Sequence, residues 1–342
     1  MIQHNLTIRE KTSKILIGAK LSDAANFFPG KKVIILADEN VIRFHKNSFP
    51  DFQVISIGSG ENQKSFDQVI KLYHELLKLE VDRNSAIIGV GGGVTTDVTG
   101  FVASTFLRGL PFGFVATTLL AQVDAAIGGK NGINLDRFKN LVGLIRQPEF
   151  VICDLETLSS LDKKEFISGF AEVIKYGVIR DPSLFSYLED KIEEGINMNR
   201  EVMEKLVAES VKIKIDVVKN DEEEQGERKT LNFGHTFAHA FEKLYKISHG
   251  EAVAIGMVLA AQMSVNLRIL EYSKAEKLQA LIKRSGLPVN IDFDVDAVSN
   301  AMKKDKKRAG GEMQFILLED IGKAVIKKVS LNDIKSILYD LR

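Results

Sequence analysis

The sequence predicts a two-part α/β protein, with a parallel sheet in its first half and helices dominating its second. Three observations predict it. Short β-branched runs alternate with helical patterns up to about residue 153, a glycine-rich turn follows one of those runs, and beyond Leu161 long helical patterns take over. A chain of 342 residues usually divides its core in two. The change of texture places the boundary near residues 157–161, as domains 1–159 and 160–342.

The elements follow in order. Residues 31–36 (KKVIIL) and 53–57 (QVISI) read as strands of a parallel sheet. Phe66, Val69, Ile70, Tyr73, Leu76 and Leu77 recur at helical spacing and predict a crossover helix with one buried stripe. Strand-like runs continue at 86–90, 113–116 and 150–153. Helical patterns then cover 163–177, 200–219 and 250–267, and a strand-like run returns only at 313–318. There is no internal repeat. The acidic run 221–224 and the basic run 303–308 read as solvated loops or helix faces.

Composition excludes several classes of function. The 46 basic and 46 acidic residues cancel at pH 7, which gives no electrostatic reason for a nucleic-acid or anionic-membrane partner. Cys153 alone cannot build a disulfide framework, so a reducing, cytoplasmic setting is expected. The first 18 residues lack the apolar core of a secretory signal, and the longest apolar stretch, 252–265, is too short to span a bilayer.

Residues 89–93 (GVGGG) follow one predicted strand and precede a helical pattern starting near Thr95 or Thr96. Glycines let the backbone approach a phosphate, and a helix N-terminus favours an anion. The spacing is not the usual dinucleotide fingerprint, so a plain tight turn is the competing reading. Asp38, directly after the first strand, stands where a carboxylate accepts hydrogen bonds from a ribose, or else caps a turn. Residues 58–64 (GSGENQK) end the second strand in the same way, and the three strand ends converge on one edge of the sheet.

Three of the six histidines, His235, His239 and His249, fall within 15 residues. His235 and His239, four apart, share a helix face, the spacing for two ligands of one zinc ion or for a polar stack. A catalytic site needs a third ligand, which His249 or a carboxylate supplies. Glu172 interrupts an apolar helix (GFAEVIKYG), and a charge there needs a metal or a partner. Lys175, three residues on, offers an ion pair as the alternative. Between 117 and 140 the stretch TTLLAQVDAAIGGKNGINLDRFKN sets Asp124, Lys130, Asn131, Asn134, Lys139 and Asn140 among glycines. With Arg108, Lys214, Arg228 and Lys306 or Lys307, the cations suffice for a phosphorylated, polyhydroxylated substrate.

Taken together, GGGVTTDVTGF (from Gly91), LRG (from Leu107), TTLLAQVDAAIGGKNGIN (from Thr117), KNLVG (from Lys139), GFAEVIKYG (from Gly169), LNFGHTFAH (from Leu231), HGEAVAIGM (from His249) and DKK (from Asp305) resemble the 3-dehydroquinate synthase family of the sugar phosphate cyclases. The blocks run in family order from about residue 31 to 323. The resemblance implies a Rossmann-like NAD-binding α/β domain, a mainly helical metal- and substrate-binding domain with the site in the cleft, and a homodimer. It implies a carbon–oxygen lyase using NAD and zinc, or cobalt in its place. Such an enzyme turns 3-deoxy-D-arabino-heptulosonate 7-phosphate into 3-dehydroquinate and phosphate, a step of the shikimate pathway. The C5 alcohol is oxidised transiently, phosphate leaves by elimination and takes up the C6 proton itself, C5 is reduced again, and an intramolecular aldol reaction closes the carbocycle.

Carried over motif by motif, Glu172, His235 and His249 hold the metal, while His239 turns to the substrate. The spacing argument for His235 with His239 therefore yields to the resemblance. Asp38, Asn40, Glu61, Lys64, Gly92, Gly93, Val94, Asp97, Thr117, Thr118, Lys130, Lys139 and Thr157 surround NAD. Arg108, Asp124, Lys130, Asn140, Lys175, Lys214, Arg228, Asn232, His239 and Lys306 or Lys307 meet the substrate. The departures are Thr95-Thr96 for the usual Ile-Gly, Asn131 for threonine, Leu144-Ile145-Arg146 for a more aromatic stretch, and a short loop between His239 and His249. They mark a divergent lineage or an altered substrate. The rival readings are another sugar phosphate cyclase, such as 2-deoxy-scyllo-inosose synthase acting on glucose 6-phosphate, a glycerol dehydrogenase-like polyol dehydrogenase, and a catalytically dead nucleotide-binding or interaction protein.

Overall fold

The computed structural model describes residues 1–136, 138–306 and 311–341. The chain forms two compact units, one of Met1–Asp162 with Met203–Glu223 and one of Lys163–Val202 with Glu224–Arg342.

The first unit contains β1 (Ile2–Ile8), β2 (Lys11–Ile17), β3 (Lys32–Asp38), α1 (Glu39–His45), β4 (Gln53–Ile57), α2 (Phe66–Lys78), β5 (Ser85–Gly91), α3 (Gly93–Thr105), β6 (Phe112–Ala116), β7 (Lys130–Leu135), β8 (Phe138–Ile145) and β9 (Phe150–Cys153). Its seven-stranded sheet has the order β1-β2-β9-β6-β5-β3-β4 and is parallel except for β1. Central strands buried on both faces must be apolar throughout, and Ile34, Ile35, Leu36, Ile87, Ile88 and Val90 have no exposed surface. Beyond β3 the chain crosses to β4 on one side, and beyond β5 to β6 on the other. The C-terminal ends of β3 and β5 therefore flank a switch point, where open α/β sheets bind ligands.

Three features differ from the sequence expectation. The predicted stripe on α2 is rotated: Val69, Leu72 and Leu76 are buried, while Phe66, Ile70 and Leu77 are largely exposed, because only the i, i+3, i+7 set faces inward. The sheet starts with an unpredicted hairpin, β1 and β2, and a second hairpin, β7 and β8, occupies the polar stretch. Finally, α3 begins at Gly93, two residues before the predicted start.

The second unit is built from α4 (Lys163–Arg180) and α5 (Pro182–Ile196), and then, beyond α6 (Arg200–Asn220), from α7 (His235–Leu244), α8 (His249–Asn266), α9 (Tyr272–Arg284), α10 (Val295–Lys306), the hairpin of β10 (Glu312–Asp320) and β11 (Lys323–Ser330), and α11 (Ile334–Asp340). Most of α6 belongs to the first unit, where Glu204 holds the N-terminal ammonium at 3.2 Å. In the second unit Gly250, at the start of α8, lies so close to α4 that a Cβ would overlap the Ser168 carbonyl. Its N–H also donates to Ser168 Oγ at 3.0 Å. That contact docks the start of α8, and with it His249, beside α4. Among the described residues no helix is long and apolar enough to cross a membrane.

Candidate functional site

In the first unit the polar groups gather at the C-terminal edge of the sheet. Asp38 ends β3 and caps α1, accepting from the Asn40 N–H at 2.8 Å, while Asn40 Nδ2 donates to Ser59 Oγ at 3.0 Å. Gly92 is the N-cap of α3, and Gly93 and Val94 open its first turn, so the glycine run does lead into a helix N-terminus. A Cβ on Gly91 would lie 2.5 Å from Thr95 Oγ1, so the departure at position 95 is buried against the glycine turn. Thr117 is buried, its N–H bonded to the Gly91 carbonyl at 3.0 Å. Thr157 Oγ1 donates to the Asp154 carbonyl at 2.6 Å, and Thr118 packs against Gly92.

Lys64 lies at the centre of this edge. Its side chain is 5% exposed, and Nζ donates to Asp97 Oδ2 at 2.5 Å and to Asn140 Oδ1. Burial raises Asp97 to about 6, against the opposing pull of Lys64. Asn134 joins the network from β7: its Nδ2 donates to Glu61 Oε1 at 2.8 Å, and its Oδ1 accepts from the Asn140 N–H at 2.8 Å. Sequence reading noted Asn134 as polar but gave it no role, because pairing across a hairpin is invisible in linear spacing.

Elsewhere in this unit, Asp124 sits in a single π-helical turn, Ala121–Ala125, an irregularity common at functional sites, and pairs with buried Lys214 of α6. Lys130 and Lys139 are exposed on β7 and β8. Arg108 is exposed within three consecutive positive-φ residues, Leu107, Arg108 and Gly109. The side chain of Asn131 is buried and donates to the carbonyls of Gly129 at 2.7 Å and Arg146 at 3.0 Å. The guanidinium of Arg146 lies over the Phe112 ring at 5.3 Å. Both departures therefore brace the hairpin.

In the second unit Glu172, His235 and His249 each offer a ligand atom, all within 4.8 Å of one another. Glu172, on α4, is 1% exposed and forms an ion pair with Lys175 one turn on. His235 opens α7 and His249 opens α8, with Nε2 atoms 3.5 and 3.6 Å from Glu172 Oε1. Burial, aided by Lys175, pushes His235 down to about 3, leaving the neutral imidazole that binds metals. For His249 burial opposes the charge, but the carboxylates of Glu172 and Glu242 beside it outweigh that and raise the group to about 9. A cation is thus held at this point, and a metal ion there would displace the proton. One carboxylate and two imidazoles suit zinc or cobalt and leave coordination positions open.

His239 is exposed, its ring 5.8 Å from that of His235, and lies outside the three-residue cluster. Arg228 is buried in a short 3-10 helix, Glu227–Asn232, and Asn232 Nδ2 donates to Glu224 Oε1. Lys306 is described only as the last backbone position of α10, and Lys307 lies outside the described residues. Sequence reading passed over Glu242, which contacts His249. The available signal was its place seven residues after His235, on the same helix face.

The model of the 3-dehydroquinate synthase N-terminal domain matches residues 54–168, and that of the C-terminal domain matches residues 169–308. The 3-dehydroquinate synthase of Dictyoglomus thermophilum is 44% identical over 276 residues, covering 80% of this chain and 78% of the relative. A crystal structure of 2-deoxy-scyllo-inosose synthase complexed with carbaglucose-6-phosphate, NAD+ and Co2+ superposes with a TM-score of 0.89 at 24% identity, covering 99% of this chain and 100% of the other. A 2-epi-5-epi-valiolone synthase from Streptomyces hygroscopicus subsp. jinggangensis 5008, with NAD+ and Zn2+ bound, gives 0.88 at 23% identity and 98% coverage of both chains. The two structures establish the fold, and the matches across residues 54–308 together with the 44% identity place this chain in the 3-dehydroquinate synthase family.

Proposed function

We propose that this chain converts 3-deoxy-D-arabino-heptulosonate 7-phosphate to 3-dehydroquinate and phosphate with NAD and a divalent metal, zinc or cobalt. The observation that carries the cofactor reading is the convergence of His235 and His249 on the buried carboxylate of Glu172. These three residues would hold the metal. When bound, NAD supplies a reversible oxidation of the C5 alcohol, and the metal supplies Lewis acidity at the C4 and C5 hydroxyls.

The rest is the work of the chain's own side chains. Asp38 and Asn40 bind the ribose, and the N-terminus of α3 at Gly92, Gly93 and Val94 receives the diphosphate. Glu61, Lys64, Asp97, Thr117, Thr118, Lys139 and Thr157 complete the nucleotide edge. By the family resemblance, Lys130, Asn140, Arg228 and His239 orient the phosphate and stabilise its charge as it leaves. Arg108, Asp124, Lys175, Lys214, Asn232 and a lysine of residues 306–307 hold the carboxylate and hydroxyls in the conformation that later closes the ring. The family resemblance adds a cytoplasmic homodimer.

The test is phosphate release from the heptulosonate phosphate with NAD and zinc, with EDTA as control and NADH absorbance followed in parallel. Metal-dependent release without lasting NADH is expected. No release overturns the proposal: turnover of glucose 6-phosphate instead would make the chain a different cyclase, and net NADH from a simple polyol a dehydrogenase.

A further inference from the structure

The ring of His249 faces two carboxylates, one on each nitrogen. Its Nε2 lies 3.6 Å from Glu172 Oε1, and its Nδ1 lies 3.4 Å from Glu242 Oε1. His235 has the same arrangement with a different outer partner, its Nδ1 being 3.2 Å from the Phe233 carbonyl and its Nε2 3.5 Å from Glu172 Oε1. A neutral imidazole carries one N–H. Placed on Nδ1, it donates outward and leaves the Nε2 lone pair for a metal.

From this we infer that Glu242 is the positioning residue of the metal centre, fixing the tautomer and the rotation of His249 so that Nε2 points to Glu172 and His235. The inference rests on the reading of those three residues as metal ligands. Three observations support it. The side chain of Glu242 is 10% exposed, so little water competes with the imidazole for its carboxylate. The imidazole of His249 is 33% exposed against 12% for His235, so packing constrains His249 less and a directed partner matters more. Glu242 lies on α7, seven residues after His235, so one helix face presents one ligand and the group that orients another. The two outer partners also differ in kind. The Phe233 carbonyl is neutral, whereas Glu242 carries a charge that makes its imidazole a better electron donor.

The test uses full-length Glu242→Ala and Glu242→Gln, stripped of metal and titrated with Zn2+ against a chromophoric chelator, with visible spectra of the Co2+ forms. Glu242→Ala should bind zinc about 10- to 100-fold more weakly, the usual cost of losing such a partner. Glu242→Gln keeps an acceptor oxygen but not the charge and should fall between. Saturating zinc should restore most of the turnover with an unchanged KM. Zinc affinity of the alanine variant within twofold of the parent overturns the inference. If that variant fails to fold, by circular dichroism and NAD binding, the glutamine variant decides: parental affinity and an unaltered cobalt spectrum overturn it. A parent chain that takes up no zinc overturns the metal reading itself.

Discussion

Two of the lysine–carboxylate pairs among the polar sites of this chain, Lys64 with Asp97 and Lys175 with Glu172, are built in opposite ways. Lys64 and Asp97 come from segments 33 residues apart and share their bonds with neutral amides, Asn140 directly and Asn134 beyond it. Glu172 and Lys175 lie one turn apart on α4, and their surroundings are imidazoles from two other helices. Asp97 keeps 19% of its side chain exposed, whereas Glu172 keeps 1%. Where water reaches a carboxylate, solvent or a proton substitutes for a lost partner. Where it does not, every charge needs a counter-charge in place.

The strongest test of this contrast is Glu172→Ala, which leaves Lys175 buried near His235 without its carboxylate. It should lower stability to urea by about 3–5 kcal/mol and abolish zinc uptake. A loss under about 1 kcal/mol would show that Lys175 is easily solvated and that the second site is no more closed than the first.

The next effect is a pH dependence. Asp97 holds its proton to about 6 in the fold but only to the ordinary range, about 3.9, when unfolded. Between those values the native state binds more protons, so stability falls as pH rises, by roughly 3 kcal/mol in all. Asp97→Asn should lose that part of the slope. Urea midpoints of parent and variant that run parallel from pH 4 to 6 would mean that Lys64 keeps Asp97 ionised throughout.

Smaller again is Lys64→Ala, expected to cost about 1–3 kcal/mol of stability because Asp97 can then take up a proton. A cost above that of Glu172→Ala would reverse the ranking of the two sites. Smallest is Asn40→Ala, which removes one exposed hydrogen bond to Ser59 and should change stability by no more than about 0.5 kcal/mol while weakening NAD binding.

The same contrast explains what could be read from the chain alone. Residues 150–153 are a strand with the bounds their run indicated, because a strand buried on both faces carries its signal in every residue, while residues 53–57, at the sheet edge, are betrayed by their β-branched residues alone. The strand Ile2–Ile8 escaped notice because only Leu6 of it is buried. In β8 the apolar Phe138, Leu141 and Ile145 point to solvent and mimic no core pattern. Motif resemblance supplied nearly all the candidate site residues, whereas Asn134 acts through Glu61, 73 residues away, and Glu242 left only its helical spacing from His235.

Asn131 carries a consequence for how this chain can change over generations. Its side chain fills the space beside Gly100 of α3 so fully that any Cβ at position 100 would overlap the amide. The two positions are therefore locked in an order of substitution. Alanine at position 100 alone should be harmful, and Asn131→Ala should relieve most of that harm, leaving the close approach of the two Cβ atoms, 3.0 Å, to be absorbed by a small backbone shift. Position 131 acts as a gate on position 100: a lineage that acquires the asparagine is held to glycine in the helix until the asparagine is given up.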